Sequence, residues 1–208
     1  ENAIAEIDLP PMLPRPNIAG LADNIEKLIK NFETEFSALP EEMKSGVKLP
    51  KIDIASIKDK LSETETQFRD AYVLGAHMML PARSPHPGQE GDIRKQLVRK
   101  LENGEAISGG DYAFVDLTGL DLKGADLSNS YLECANLSHC NLRGADLSGA
   151  VLAGANLENA DLDGADLSSA NLGSADLFNT RLKNCDLRKT QFGGARIDHT
   201  DFSGSKFE

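Results

Sequence analysis

ADLSGAVLAGANLENADLDGADLSS, residues 145–169, decides the fold. Leu147, Leu152, Leu157, Leu162 and Leu167 recur every five residues. Two places before each stands an alanine: Ala145, Ala150, Ala155, Ala160 and Ala165. Asp or Asn usually lies between the two. Read outward, the pattern holds nineteen times from Val115 to Glu208 without a gap, ending on Phe192, Ile197, Phe202 and Phe207 in the large apolar place. A fixed short period calls for a repeat reading before any other.

Five residues match neither the 3.6 of a helix nor the 2.0 of a strand. A chain that buries the first and third residues of every five must bend between units. Four bends of roughly 90° close a square in twenty residues, and successive squares stack at the inter-strand spacing of roughly 4.8 Å. The large and small residues then point inward and the other three outward. Gly or Asn fills 12 of the 18 complete last positions from Gly119 to Gly204, as repeated tight turns at positive φ require.

Units such as Ala155-Asn156-Leu157-Glu158-Asn159 and Ala165-Asp166-Leu167-Ser168-Ser169 resemble the pentapeptide-repeat family, whose pattern is A-[DN]-L-x-x. The resemblance implies a mainly β fold, a right-handed quadrilateral β-helix, here preceded by a small α-helical segment. It says little about function, because the repeated positions are structural.

Before the repeats, composition divides the chain. Residues 1–16 hold Pro10, Pro11, Pro14 and Pro16 and read as an extended arm. Residues 17–79 read as an α-hairpin: Asn17 caps a helix to Leu39 with Ile18, Leu21, Ile25, Leu28, Ile29, Phe32 and Phe36 inward. After a connector at 40–52, a second helix runs from Ile54 to Met78 with Ile57, Leu61, Thr64, Phe68 and Tyr72 on one face. Residues 80–91, rich in Pro and Gly, are a loop. Asp92 caps a short helix, 92–104, with Ile93, Leu97 and Leu101 inward and Gly104 as its stop. This helix is expected to close one end of the tube, 105–208, as solenoids require. The other end is expected to be exposed, paired with a second copy as a homodimer, or continued beyond Glu208. The start at Glu1 reads as a fragment or a processed product.

The net charge of −11 argues against direct nucleic-acid binding, which draws on a basic patch. No apolar run approaches the roughly 18 residues of a membrane span. Three cysteines, with Cys140 and Cys185 at small inward places and Cys134 at a turn, fit a reducing compartment such as the cytoplasm.

Residues twenty apart share a face. Asp126, Asp146, Asp166 and Asp186 form an acidic column; Tyr131, Val151, Asn171 and Gln191 form a nearly uncharged one. These two columns are the candidate partner-binding surfaces, the uncharged one for docking the helical segment or another protein, the acidic one for a basic partner. Alternatively, the aspartates serve only the repeat, bonding nearby backbone. Charge also changes along the axis: residues 125–180 carry eight carboxylates against Arg143 alone, whereas 181–206 carry six cations against three carboxylates.

No catalytic constellation, phosphate loop, cofactor motif or metal set emerges. His139 and His199 fall three coils apart, and Asp161 and Asp163 sit on a convex surface with nothing to perturb them. A non-catalytic protein-interaction module is expected. The run from Leu97 to Ala125, a short helix followed by repeats, resembles the subset associated with bacterial type VI secretion. That resemblance implies an adaptor whose partner is a secretion effector or spike component. Other family members imitate duplex DNA and bind DNA gyrase, which implies a topoisomerase as the alternative partner; the acidic column suits that, and the basic end from Arg181 to Lys206 does not.

Overall fold

The structure, a computed structural model, describes residues 26–31, 34, 37, 53–76, 84 and 86–208. The expected arm at 1–16, the connector at 40–52 and most of the expected first helix lie outside these. The described residues up to Tyr72 belong to one compact unit and those from Val73 to Glu208 to another.

In the first unit, residues 26–31 are helical and helix α1 spans Ile54–Gly75, its last turn passing into the second unit. Asp53 caps α1: its Oδ1 accepts the Ser56 N–H at 3.1 Å, satisfying one of the donors a helix start leaves over. Glu26 accepts from Lys30 at 2.6 Å and from Lys58 of α1; the Lys30 bond first, then the Lys58 bond, hold its carboxyl down to about 2. Two expected inward residues face out instead. Leu28 is 68% and Phe68 60% exposed, whereas Ile57, Leu61 and Thr64 are half-buried.

In the second unit, helix α2 spans Glu90–Asn103. It starts earlier than its sequence suggests. Gln89, not Asp92, stands at the cap position and makes no side-chain bond there; Asp92 sits inside the first turn and pairs with Lys95 at 3.1 Å. Gly104 ends the helix at φ 67°, its N–H bonding Leu101 O while the Glu105 N–H bonds Lys100 O, the left-handed stop that a residue without Cβ makes cheaply.

From Asp111 onward every fifth residue bridges, in parallel, the residue twenty places later: Asp111 with Tyr131, Asp116 with Asn136, and so to Asp186 with Lys206. One coil is therefore four five-residue units. The hydrogen bonds show how five suffices. The N–H after each turn returns to the carbonyl three residues back, as Ala125 to Leu122 at 3.0 Å. The next two N–H groups reach the neighbouring coils, as Asp146 to Ala125 O and Leu147 to Asp166 O. The fifth residue also reaches the next coil, as Asn129 to Ser148 O. That leaves one N–H per unit, the residue after each leucine.

The Asp or Asn takes it. Every Asp or Asn at the bridge place from Asp111 to Asp201 accepts, through Oδ1, the N–H two residues on. In these units the N–H two residues on is thereby not left over. The fifth residue of each unit from Gly109 to Gly204 has φ between 54° and 78°. Positive φ at that single place, with a bond closing four residues, defines a type II turn. Gly and Asn adopt it readily, and His139, Lys189 and Cys134 are held there by the coil-to-coil bonds.

Leucines from Leu117 to Leu182 fill the tube with essentially no exposure; each contributes on the order of 2 kcal/mol of transfer free energy. At the small place, hydroxyls and thiols also find partners: Thr180, Thr190 and Thr200 donate to the leucine carbonyl 23 residues back, as do the thiols of Cys140 and Cys185. Ser130 is the exception. Its counterpart carbonyl, Ile107 O, is already taken by the Tyr112 hydroxyl at 2.8 Å, and the buried Ser130 Oγ has no partner.

Candidate functional site

The acidic column is assembled as expected from the register: Asp126 bridges Asp146, Asp146 bridges Asp166, and Asp166 bridges Asp186. Each carboxylate is also a structural acceptor, taking the N–H of Ser128, Ser148, Ser168 and Arg188 at 3.0, 2.9, 2.8 and 3.2 Å. The repeat role and the surface role thus coexist in one side chain, with Oδ1 turned to the backbone. The Ser128 hydroxyl, at 2.6 Å, holds the Asp126 carboxyl below its ordinary value, helped by the Ser128 N–H. The Arg188 guanidinium, 2.6 Å away, brings Asp186 down to about 2.

The uncharged column is placed differently. Tyr131 is half-buried, while Val151, Ala153 and Asn171 have no exposure at all. The chain itself seals these outward positions. Val73, at the end of α1 and 8% exposed, accepts a hydrogen bond from the Asn171 side-chain amide through its carbonyl oxygen. Val151 is accordingly not on an open surface, and the two halves of the candidate site differ in access.

Four of the six cations of the last coils, Arg181, Lys183, Arg188 and Arg196, have carboxylate partners. Arg181 pairs with Asp163 and lies 3.9 Å from Asp161, which with Asp163 also holds Arg143 at 3.0 and 3.3 Å. Lys183 reaches Asp201 at 3.0 Å, and Arg196 reaches Asp176 at 3.0 Å and Asp198 at 3.3 Å. The shift from acidic to basic along the axis is therefore largely an internal pairing of one coil with the coil before it.

One cluster escaped the sequence reading. Phe178 stands one place after an inward leucine, on the outside. Arg196 lies over its ring at 4.4 Å from the centroid, and the His199 ring meets it edge-on at 5.4 Å. The signal was an aromatic at an outward place with Arg and His about one coil later. Cys134 sits on a turn, its thiol pushed up by burial and by the Glu133 carboxylate. Among the described residues no group of three His, Cys, Asp or Glu side chains is placed to hold a metal ion, and no helix is long and apolar enough to cross a membrane.

A four-sided tube with leucine inside, an Asx ladder on its bridge positions and its variety on the outer faces is a repeat solenoid. The chain belongs to the pentapeptide-repeat family through residues 113–149, 145–184 and 175–208, which match the family model in 8 copies. Among solved structures it is similar to a pentapeptide repeat protein of the cyanobacterium Cyanothece 51142, at 31% identity over 50% of this chain and 60% of that one, with a TM-score of 0.30. It is also similar to one from the thylakoid lumen of Arabidopsis thaliana, at 30% identity over 60% of this chain and 68% of that one, with a TM-score of 0.30. A third is QnrB1, a plasmid-mediated fluoroquinolone resistance protein, at 22% identity over 47% of this chain and 65% of that one, with a TM-score of 0.17. The chain spans less than two thirds of the length of the first and third of these. No curated protein matches it.

Proposed function

We propose that the chain is a non-enzymatic scaffold for protein–protein contact. The observation that carries this reading is how the apolar side chains are distributed. From Leu117 to Leu187 the tube turns the large apolar residue of each unit inward, whereas Leu28, Phe68 and Leu74 stand 68%, 60% and 58% exposed on the helical part. Exposed aromatic and aliphatic side chains are the anchors that protein interfaces use. The tube's own backbone is hydrogen-bonded from coil to coil. In its finer form the proposal is an adaptor that loads a secretion effector or spike component in the cytoplasm of a bacterium.

The alternative is a protein that presents Asp126, Asp146, Asp166 and Asp186 to a topoisomerase in place of DNA. The observation favouring it is the unbroken bridging of these four residues in one column.

One set of full-length variants separates the two. Asn serves the spine as well as Asp, as Asn136 and Asn156 show, so Asp126→Asn, Asp146→Asn and Asp166→Asn together remove charge and keep the fold. Affinity capture followed by mass spectrometry should recover an effector or spike component, lost in Phe68→Ser and retained by the triple Asn variant. Capture of gyrase, weakening steeply with salt and lost in the triple Asn variant, would sink the adaptor and support the alternative.

A further inference from the structure

Asn171 does more than its neighbours in the spine. Its Oδ1 accepts the Gly173 N–H at 2.8 Å, the bond every Asp or Asn at this place makes. Its Nδ2 donates to the carbonyl of Val73, 98 residues back. Asn141, by contrast, gives its amide to Asp121 of the coil before. The Val73 carbonyl lies in the last turn of α1, which ends at Gly75. Carbonyls there have no partner within the helix, and this one is buried with its residue. The same bond therefore satisfies an orphan helix-end acceptor and a buried amide. An aspartate at 171 would serve the spine equally, as Asp166 does with Ser168, but a carboxylate cannot donate to a carbonyl. An aspartate at this place could not make the second bond.

We propose that Asn171 is a latch. Its amide holds the segment Val73–Ala76, both ends of which are buried, against the uncharged column of the tube. Any outside protein that takes the column at Asn171 must first displace the chain's own segment and break this bond. This inference uses only contacts within the unit that begins at Val73 and does not depend on the scaffold reading.

Hydrogen exchange followed by mass spectrometry on the full-length chain tests it. In Asn171→Asp, amides at 73–76 should exchange about tenfold faster at neutral pH, the loss of one buried bond. Amides at 145–190 should stay protected, because the new carboxylate still accepts from Gly173. As pH falls and that carboxyl takes a proton, its O–H can donate to Val73, and protection at 73–76 should return. Asn171→Ala should open 73–76 with no such return. Unchanged exchange at 73–76 in Asn171→Asp overturns the proposal. So does loss of protection throughout 145–190, which would make Asn171 a builder of the tube, and so does an acid-induced return in Asn171→Ala.

Discussion

The two ends of the tube are made from the same repeat and are finished differently. At the first end, α2 lays Leu97, 1% exposed, against the interior, with Ile93 and Leu101 beside it, and Tyr112 is buried above the first leucines. Arg94 ties the helix down by donating to the carbonyls of Asp116 and Thr118. At the far end the interior turns aromatic. Phe192 and Phe202 meet edge to face at 6.0 Å and Phe202 and Phe207 meet at a tilt of 58° at 5.8 Å, yet Ile197 and Phe207 remain 53% and 55% exposed. The salt bridges run the other way. Pairs from Arg181, Lys183, Arg188 and Arg196 gather where the apolar burial thins. The two ends therefore differ in what side chains add: a helix plug at one end, exposed ion pairs at the other. Since exposed pairs each contribute roughly 0–1 kcal/mol, the far coils should be the first to open.

The largest effect should come from the plug. Leu97→Ala removes a fully buried side chain and should cost about 2–5 kcal/mol, whereas Phe207→Ala, at the half-exposed end, should cost about 1–2 kcal/mol by transfer of the area it buries. Urea unfolding of both variants checks this. Equal losses would mean that the two ends are sealed to the same degree after all.

The tube was legible in the sequence because its constraint is local and periodic. Leu147 and Ala145 recur at fixed offsets, and each must point inward or the coil cannot close. The aspartates were harder to assign. Position alone put Asp126, Asp146, Asp166 and Asp186 in one column, but that each also binds an N–H two residues on follows from the turn's hydrogen-bond accounting, where one donor per unit has no other acceptor. The burial of Val151 could not be read at all, since the column is met by segments distant in sequence, as Asn171 is by Val73, and amphipathic spacing says nothing of which surface meets which. The helical part was read least well. Phe68 and Leu28 fit a 3.6-residue stripe and are nevertheless exposed, because spacing fixes which residues share a helix face and not whether anything covers that face.

Between the two ends, the spine itself offers a smaller test. Asp146→Ala leaves the Ser148 N–H without its acceptor and should cost about 1 kcal/mol, whereas Asp146→Asn should be near neutral. If both cost the same, charge rather than the Asx bond is what Asp146 supplies. Close to the plug, Ser130→Ala should act in the opposite sense. The hydroxyl is buried without a partner because Tyr112 holds Ile107 O, and alanine is the usual residue at this place, so the variant should be more stable by about 1 kcal/mol. A loss on thermal unfolding would show that the hydroxyl has a partner in solution.

The smallest effect should belong to the far end and depend on acid. Asp186 is held down to about 2 by the Arg188 side chain, and Asp201 to about 2 by the Ser203 hydroxyl, the Ser203 N–H and Lys183. A carboxyl whose value in the folded chain lies below the ordinary roughly 3.9 stabilises the fold above that value and loses the contribution as pH falls toward 2. Between about pH 4 and pH 2, amides in the coils from Leu182 to Glu208 should therefore gain exchange, corrected for the intrinsic rate, before those near Leu117 and Leu122. High salt at neutral pH should produce a weaker version of the same order by screening Arg188 and Lys183. The partner cations Arg188 and Lys183 are exposed, so the shift will be modest, and its position along the tube is the informative part. Opening that begins at the α2 end would reverse the comparison and show that the ion pairs, not the plug, are the better seal.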